Sequence, residues 1–350
     1  MRPVAQALTA QGVVSTLIFT GQHQLRPEDF GLAGYPSVAL DCPGQPDPHA
    51  HVAAVTRALL PWLRDAPDLL VVQGDTSSAL GGALAGFTAA VPVAHVEAGL
   101  RSHDPLLPWP EEEYRTAIDA DAELLFAPTD LAAANLKAER VPGDIHVTGN
   151  TSIDAVLEAE QHLPRRLPRL GNKARVLVTC HRRESWDAGL ESIASAVLDL
   201  AAAQNAEVDF ILHPNSFVAG KMDRLLGGAG GVTLIAPCGH HELLRRIRDC
   251  DLVLSDSGGI QEEAPTLGVP LLVLRDKTER PEGIAAGAAL LVGTDSERIV
   301  TEARLLLNDP VVRSAMSRRS FPFGDGRAGE RVAAIIVQWL QQRSLTRRLA

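Results

Sequence analysis

Short apolar runs alternate with longer stretches of helical periodicity along almost the whole chain. The short runs are rich in Val, Ile and Leu and have the length of strands; they cover residues 13–20, 68–73, 91–96, 123–128, 175–180, 208–213, 232–237, 251–256 and 270–275. Helical patterns cover residues 50–64, 77–90, 129–138, 187–203, 241–249 and 295–307. Strands that are apolar at nearly every position and alternate with helices are typical of parallel sheets covered on both faces. The pattern therefore predicts an α/β fold.

The alternation is interrupted at residues 158–175, where prolines and basic residues cluster. We expect an N-terminal Rossmann-like domain over residues 1–165 and a second one over residues 166–328. A final helix over residues 329–350 is expected to pack back on the first domain. The cleft between two such domains is the default place for a ligand.

Composition and charge narrow the class of protein. Hydrophobic residues make up 45% of the 350 residues and charged residues 22%, which is ordinary for a globular protein. A formal net charge of −10 argues against a nucleic-acid partner. The four cysteines lack disulfide or metal-ligand spacing, and we expect them to be reduced thiols. Without a run of about 18 apolar residues or a signal peptide, we expect a cytoplasmic protein with no membrane partner.

Acidic residues recur in three loops of the first half. Asp75 follows the strand at 68–73, Glu97 follows the strand at 91–96, and Glu111 opens a predicted helix in "PWPEEEYR". Ligands bind at the carboxyl ends of parallel strands, where converging carboxylates can act as general acid and base.

Structural roles for these acidic residues stay open. Asp75 or Thr76 can cap the following helix, and Glu97 can form an ion pair with Arg101. Glu111 favours the positive end of a helix dipole and can pair with Arg115 one turn later.

The second half contains a pattern that favours phosphate binding. Ser257-Gly258-Gly259 separates a strand from a helix, which allows backbone N–H groups to approach a phosphate. Glu263, one turn later, can accept hydrogen bonds from both hydroxyls of a ribose. His181 follows the first strand of this half, and Arg280 lies in "RDKTERPEG"; both suit a phosphate, although a solvated run of charges is the alternative at His181. No dinucleotide fingerprint, Walker A motif or zinc-ligand spacing occurs.

Taken together, these motifs resemble the non-hydrolysing UDP-N-acetylglucosamine 2-epimerases of bacteria. The matching segments occur in the family's order and include "GDTSS", "HVEAGLRS", "PWPEEEYR", "VTGNTSIDA", "HRRES", "DSGGIQEEAPTLGVPLLVLRDKTERPE" and "FGDG". The resemblance implies two Rossmann-like domains of GT-B type, with the active site in the cleft between them. It also implies interconversion of UDP-GlcNAc and UDP-ManNAc through UDP elimination and re-addition, without metal or cofactor, in a homodimer.

The resemblance assigns roles to individual residues by their position in the motifs. Catalytic roles fall on Asp75, Glu97, Glu111 and His181. The substrate-binding positions are Arg115, Ser257, Gly258, Gly259, Glu263 and Arg280. Gln22 and His23 lie in a segment that contacts a second, allosteric UDP-GlcNAc in some members. The sequence does not decide which carboxylate removes the C2 proton.

The chain departs from the family pattern in three places. The family begins with a strand and a Gly-Thr-Arg-Pro-Glu turn, so we expect about fifteen residues ahead of Met1, lost through a misassigned start. Cys238 and Leu243 stand where the family tends to have a polar residue and an aromatic one. The loop that follows "TGQH" is short, which puts allosteric control in question.

Three other functions stay open at this point. A GT-B glycosyltransferase would use the same nucleotide turn but has less need of three acids on the sugar side. A hydrolysing epimerase is a closer alternative, against which "HVEAGLRS" and "PWPEEEYR" count. A UDP-sugar-binding remnant would bind UDP without turnover.

Overall fold

The structure is a computed structural model that describes residues 1–23, 25–65, 67–166, 173–182, 186, 188–203 and 206–349. The chain divides into two compact units: unit 1 comprises Met1–Ala155 and Phe323–Ala350, and unit 2 comprises Val156–Pro322. None of the helices formed by the described residues combines the length and the apolar character that a membrane crossing requires.

All the strands are short and pair in parallel. Their bounds are β1 Leu17–Phe19, β2 Ser37–Ala39, β3 Leu70–Gln73, β4 Val93–Val96, β5 Leu124–Ala127, β6 Asp144–Val147, β7 Arg175–Thr179, β8 Glu207–Ile211, β9 Val232–Ile235, β10 Leu252–Ser255, β11 Leu271–Val273 and β12 Ala289–Leu291.

Helices alternate with these strands. Their bounds are α1 Arg2–Ala10, α2 Pro48–Leu59, α3 Ser77–Thr88, α4 Glu111–Asp121, α5 Asp130–Glu139, α6 Thr151–His162, α7 Ala188–Ala203, α8 Ser216–Leu226, α9 His240–Asp249, α10 Gly258–Leu267, α11 Pro281–Ala285, α12 Ser296–Asn308, α13 Pro310–Met316 and α14 Ala328–Leu349. Two short 3₁₀ helices, Pro27–Phe30 and Leu60–Leu63, complete the described secondary structure.

Unit 1 is built on a four-stranded parallel sheet in the order β3-β4-β5-β6, and β1 and β2 form a separate pair. The strands β4 and β5 are buried along their whole length because both faces of the sheet are covered. Residues of α3, α4 and α5 pack on one face. Residues of α1 and α14 pack on the other, so the C-terminal helix belongs to the core of unit 1.

Unit 2 contains a six-stranded parallel sheet in the order β9-β8-β7-β10-β11-β12. Counted from β7, this is the 3-2-1-4-5-6 order of a doubly wound sheet, and its order reverses between β7 and β10. Two apolar cores cover the faces, one formed with α7, α8 and α12 and the other with α9 and α10. Sheets of this order bind ligands at the reversal point, outside the carboxyl ends of the two strands, which here are β7 and β10.

Candidate active site

The turn that follows β3 carries Asp75 in a fixed position. Gly74 has a φ of +70°, in the left-handed region that favours glycine, and its N–H donates to Val96 O at 3.0 Å. The capping bond of α3 comes from Thr76, whose Oγ1 accepts from Ala79 N at 3.2 Å. Thr76, and not Asp75, therefore caps the helix, and the side chain of Asp75 remains 26% exposed.

Arg115 on α4 binds Asp75 from the buried side. Its Nη2 lies 2.5 Å from Asp75 Oδ2, and its Nη1 lies 3.0 Å from Glu112 Oε2. The guanidinium side chain is only 2% exposed. Glu112 also accepts from the backbone N–H groups of Ser102 and His103, so it holds the start of the proline-containing loop. The predicted substrate-binding arginine thus contacts the candidate catalytic Asp75 directly.

Glu97 lies beside the same turn. A Cβ built on Gly74 would stand 3.6 Å from Glu97 Oε2, which shows that this carboxylate faces the turn before Asp75. Glu97 itself has a φ of +75°, an uncommon conformation for a residue with a Cβ. Arg101 pairs with Asp119 and Glu139 instead of with Glu97, so the structural alternative of a Glu97–Arg101 ion pair does not hold.

Glu111 is the first residue of α4. The carboxylates that bind Arg115 are those of Asp75 and Glu112, so the alternative of a pair between Glu111 and Arg115 does not hold either. The structure brings Asp75 and Glu97 together at the exits of adjacent strands. It places Glu111 on the helix whose next turn carries Arg115.

Gln22 is tied to the first turn of α3. Its Oε1 accepts from Ser78 Oγ at 2.6 Å, and Ser78 Oγ also lies 2.7 Å from Thr20 Oγ1. His23, the other predicted allosteric residue, is exposed. The segment therefore connects with the helix that begins directly after Asp75 and Thr76.

In unit 2, Asp256 organises the reversal point between β7 and β10. It is fully buried, and its carboxylate accepts from the backbone N–H groups of His181 at 2.8 Å and Arg182 at 2.9 Å. Sequence reasoning missed Asp256, although its place between a buried strand and Ser257 was a signal. Residues 183 and 184, which belong to the charged "HRRES" motif of the sequence analysis, lie outside the described residues.

The His181 side chain is held in its neutral form. Burial lowers the pKa of the imidazole, Asp256 opposes this shift, and the neighbouring Arg182 adds to it. Its ring centre lies 5.5 Å from that of His213, whose pKa is also lowered by burial. A neutral imidazole at this place can accept a proton on one ring nitrogen and donate a hydrogen bond from the other.

Arg280 lies over the N-terminal turn of α10. A Cβ on Gly258 would stand 2.8 Å from Arg280 Nη1, so only glycine allows this approach. Arg280 Nε donates to Glu262 at 2.6 Å, and Nη1 donates to the buried Glu279. The helix begins at Ser257 without a side-chain cap, which leaves its first N–H groups facing the turn.

Glu263 provides a carboxylate oxygen that has no partner in the described part of the chain. One oxygen, Oε1, lies 2.8 Å from His240 Nε2, whereas Oε2 is buried and makes no hydrogen bond there. A buried carboxylate oxygen without a donor is costly, so this position favours a ligand that brings hydroxyl donors.

Cys238 and Leu243, the two positions at which the chain departs from the family pattern in this unit, pack against the adjacent apolar core. Within the described ranges, His, Cys, Asp and Glu side chains form no cluster suited to a metal ion.

Two parallel α/β units, with carboxylates at the strand exits of one and a glycine-containing helix start at the reversal point of the other, define an enzyme of the GT-B type. The chain belongs to the UDP-N-acetylglucosamine 2-epimerase family, whose sequence profile matches residues 6–337.

Individual relatives agree with this assignment. A UDP-N-acetylglucosamine 2-epimerase of Salmonella typhimurium is 43% identical over 292 residues, covering 79% of this chain and 78% of the relative. The structure of UDP-GlcNAc 2-epimerase from Neisseria meningitidis bound to UDP-GlcNAc is 32% identical, with a TM-score of 0.88 and coverage of 97% and 96%. The enzyme of Methanocaldococcus jannaschii, in complex with UDP-GlcNAc and UDP, is 32% identical, with a TM-score of 0.84 and coverage of 96% and 95%.

Proposed function

We propose that this protein interconverts UDP-GlcNAc and UDP-ManNAc by inverting the configuration at C2 of the sugar. Its family membership makes it an isomerase, and its relatives carry the name UDP-N-acetylglucosamine 2-epimerase. The reaction eliminates UDP to give 2-acetamidoglucal and then adds UDP back. A base removes the C2 proton, the C–H electrons form the C1–C2 double bond, and the C1–O bond breaks with its electrons on UDP.

The juxtaposition of Asp75 and Glu97 carries the proposal. Inversion at C2 requires that a proton leave one face of the sugar and return to the opposite face, so two acid–base groups are needed. Asp75 and Glu97 lie at the exits of adjacent strands, and Glu111 begins the helix that also holds Arg115. We assign these three carboxylates to the sugar. A glycosyltransferase has less need of such a set.

We assign Arg115 the task of fixing the Asp75 carboxylate. The guanidinium is buried and donates to one oxygen of Asp75, which sets the direction in which the other oxygen points. A proton-transfer group must lie within hydrogen-bond reach of its target, so this orientation matters for the rate.

We assign UDP binding to unit 2. Ser257, Gly258 and Gly259 offer backbone N–H groups to the diphosphate, and Arg280 adds a positive charge directly beside them. Glu263 Oε2, which no described residue contacts by a hydrogen bond, suits a ribose hydroxyl. His181 stands at the exit of β7, next to the reversal point, where its neutral ring can donate a hydrogen bond to a departing phosphate oxygen.

Proton NMR in deuterated water tests the proposal. Incubation of the 350-residue chain with UDP-GlcNAc should give UDP-ManNAc that carries deuterium at C2. UDP binding without deuterium incorporation would contradict epimerisation and would favour the remnant. Free ManNAc and UDP as sole products would indicate the hydrolysing reaction.

We also propose that the enzyme acts as a homodimer in the cytoplasm and that Gln22 and His23 contact a regulatory UDP-GlcNAc. These proposals rest on the family resemblance. Light scattering would test the dimer, and a UDP-GlcNAc-dependent rate of the reverse reaction would test the regulatory contact.

A further inference from the structure

A buried histidine lies behind the two strand-exit carboxylates. His95 is fully buried in β4, with Nε2 2.9 Å from Gly74 O and Nδ1 2.6 Å from Asp119 Oδ1. A carbonyl oxygen only accepts, so Nε2 carries a proton. A carboxylate also accepts, so Nδ1 carries a second proton. The geometry therefore requires an imidazolium, provided that Asp119 is ionised.

The surroundings of Asp119 keep it ionised. Its Oδ2 accepts from Gly99 N at 3.0 Å and lies 2.8 Å from Nη2 of Arg101. Burial alone would raise the pKa of Asp119, but the charges and hydrogen bonds of His95 and Arg101 hold it below the ordinary value. The result is a buried ion pair between His95 and Asp119, supported by the guanidinium of Arg101.

This ion pair joins the elements that carry the candidate acids. Gly74, whose carbonyl accepts from His95, directly precedes Asp75. Glu97 follows His95 by two residues in the same strand exit. Asp119 lies on α4, two turns beyond Glu111. The contacts of His95 thus link the exits of β3 and β4 to the helix that begins with Glu111.

We propose that His95, as an imidazolium paired with Asp119, is a positioning residue for the epimerisation. It fixes the Gly74 carbonyl and thereby the directions of Asp75 and Glu97 relative to α4. His95 is fully buried and does not touch the substrate, so it acts only through these neighbours. The inference rests on the proposed function, because positioning has meaning only for the reaction that these carboxylates perform.

Two amide variants separate the two ends of the ring. The amide nitrogen of His95→Gln can replace Nε2 and keep the bond to Gly74 O. The amide nitrogen of His95→Asn can replace Nδ1 and keep the bond to Asp119, but it is too short to reach Gly74 O. We expect His95→Asn to lower kcat by about 100-fold, since displacement of a reacting group by about 1 Å has an effect of this size. We expect His95→Gln to lose about 10-fold or less on the same argument.

The split between kcat and binding distinguishes positioning from general damage. UDP affinity and KM should stay within about 2-fold of the wild type in both variants, since His95 lies outside the proposed UDP site. A His95→Asn enzyme with wild-type kcat would overturn the proposal. Equal losses in both variants, or a loss confined to UDP affinity, would also overturn it.

A spectroscopic measurement tests the ion pair independently of activity. In the wild-type protein labelled with ¹⁵N-histidine, the His95 resonances, identified by their loss in His95→Gln, should show protons on both nitrogens at pH 7.5. A neutral tautomer would refute the ion pair. If the wild type itself forms no UDP-ManNAc, the proposed function fails together with the positioning role. Wild-type turnover with unaffected variants refutes the positioning role alone.

Discussion

Two arginines each make a short ion pair with an aspartate, one in buried and one in exposed surroundings. Arg115 Nη2 lies 2.5 Å from Asp75 Oδ2, and Arg331 Nη2 lies 2.5 Å from Asp325 Oδ2. The Arg115 side chain is 2% exposed, whereas that of Arg331 is 41% exposed. Loss of a buried partner leaves an uncompensated charge, but loss of a surface partner leaves a charge in water.

Arg115→Gln should therefore lower the free energy of unfolding by about 3 kcal/mol. The matched variant Arg331→Gln should lower it by less than about 1 kcal/mol. Urea denaturation measures both values. Equal losses in the two variants would show that burial does not decide the strength of the Arg115 contact.

The His95–Asp119 pair predicts a pH dependence of stability. Burial alone lowers the pKa of His95, but Asp119, the bond to Gly74 O and the charge of Glu97 raise it above the ordinary value of 6.5. A raised folded-state pKa adds stability that is fully present below about pH 6.5 and is lost as the pH rises through the folded-state value. Arg101, the cation that faces the pair, keeps its charge throughout this range.

Between about pH 6.5 and the folded-state pKa of His95, the free energy of unfolding of the wild type should fall relative to that of His95→Gln. The expected fall is up to about 1.4 kcal/mol per pH unit. Urea denaturation at intervals from pH 6 to pH 9 gives the difference between the two proteins. If the free energy of unfolding of the wild type minus that of His95→Gln stays constant or increases with pH, the raised pKa of His95 is contradicted.

At the residue scale, the sequence indicated the chemical groups better than their partners. Asp75, Glu97 and Glu111 were predicted as acids at the carboxyl ends of strands or at a helix start, and the structure has them there. The sequence offered Arg101 and Arg115 only partners close in sequence, as alternatives, yet Arg101 binds Glu139 and Arg115 binds Asp75. Such pairs depend on which strands and helices are neighbours, and local spacing does not contain that information.

At the scale of elements, the turn into α10 offers two adjacent glycines with different surroundings. A Cβ on Gly258 would stand 2.8 Å from Arg280 Nη1 and 3.1 Å from its Cζ. A Cβ on Gly259 would have its nearest neighbours at 3.9 and 4.0 Å, which is ordinary contact. Arg280 is held by Glu262 and Glu279, so it cannot yield without breaking buried ion pairs.

We expect Gly258→Ala to lower the free energy of unfolding by about 1–3 kcal/mol, the range for an overpacked site. Gly259→Ala should leave it unchanged or raise it by up to about 1 kcal/mol, because alanine favours a helix. Urea denaturation of both variants provides the comparison. A Gly259→Ala protein that is destabilised as much as Gly258→Ala would contradict the role of the Arg280 contact.

The elements themselves were largely predictable from the apolar pattern. Each of the predicted strand runs overlaps a strand of the structure, because most of these strands are packed between helices and read as nearly continuous apolar runs. The prediction missed β2, β6 and β12. β2 and β6 are partly or fully exposed, and β12 has only three residues, so the periodic signal was weak. The helix α6 was missed because the 158–175 interruption begins inside it.

At the scale of the whole molecule, the strand order explains why the residues of unit 2 meet. His181 and Ser257 are far apart in sequence but follow β7 and β10, which are neighbours in the sheet. The sequence predicted parallel strands but not their order, so it could not show that Asp256 would bind the backbone of His181.

The separate cores allow the UDP assignment to be tested on the intact chain. The apolar clusters of unit 1 and those of unit 2 share no residue, so each unit has a core of its own. A ligand stabilises the part of a protein that binds it, by about 2.7 kcal/mol at 100 times its Kd. Backbone amides that exchange through unfolding of that part should slow correspondingly.

We therefore expect saturating UDP to slow hydrogen exchange across Val156–Pro322, most strongly at the β7 exit and the first turn of α10. Uridine, which lacks the diphosphate, should protect the α10 turn far less, because the N–H groups of Gly258 and Gly259 are assigned to phosphate. Exchange followed by mass spectrometry resolves these segments. Protection confined to residues 1–155 would contradict the assignment of UDP to unit 2. Equal protection by uridine would instead contradict the phosphate role of the turn, because the diphosphate would then add no contact there.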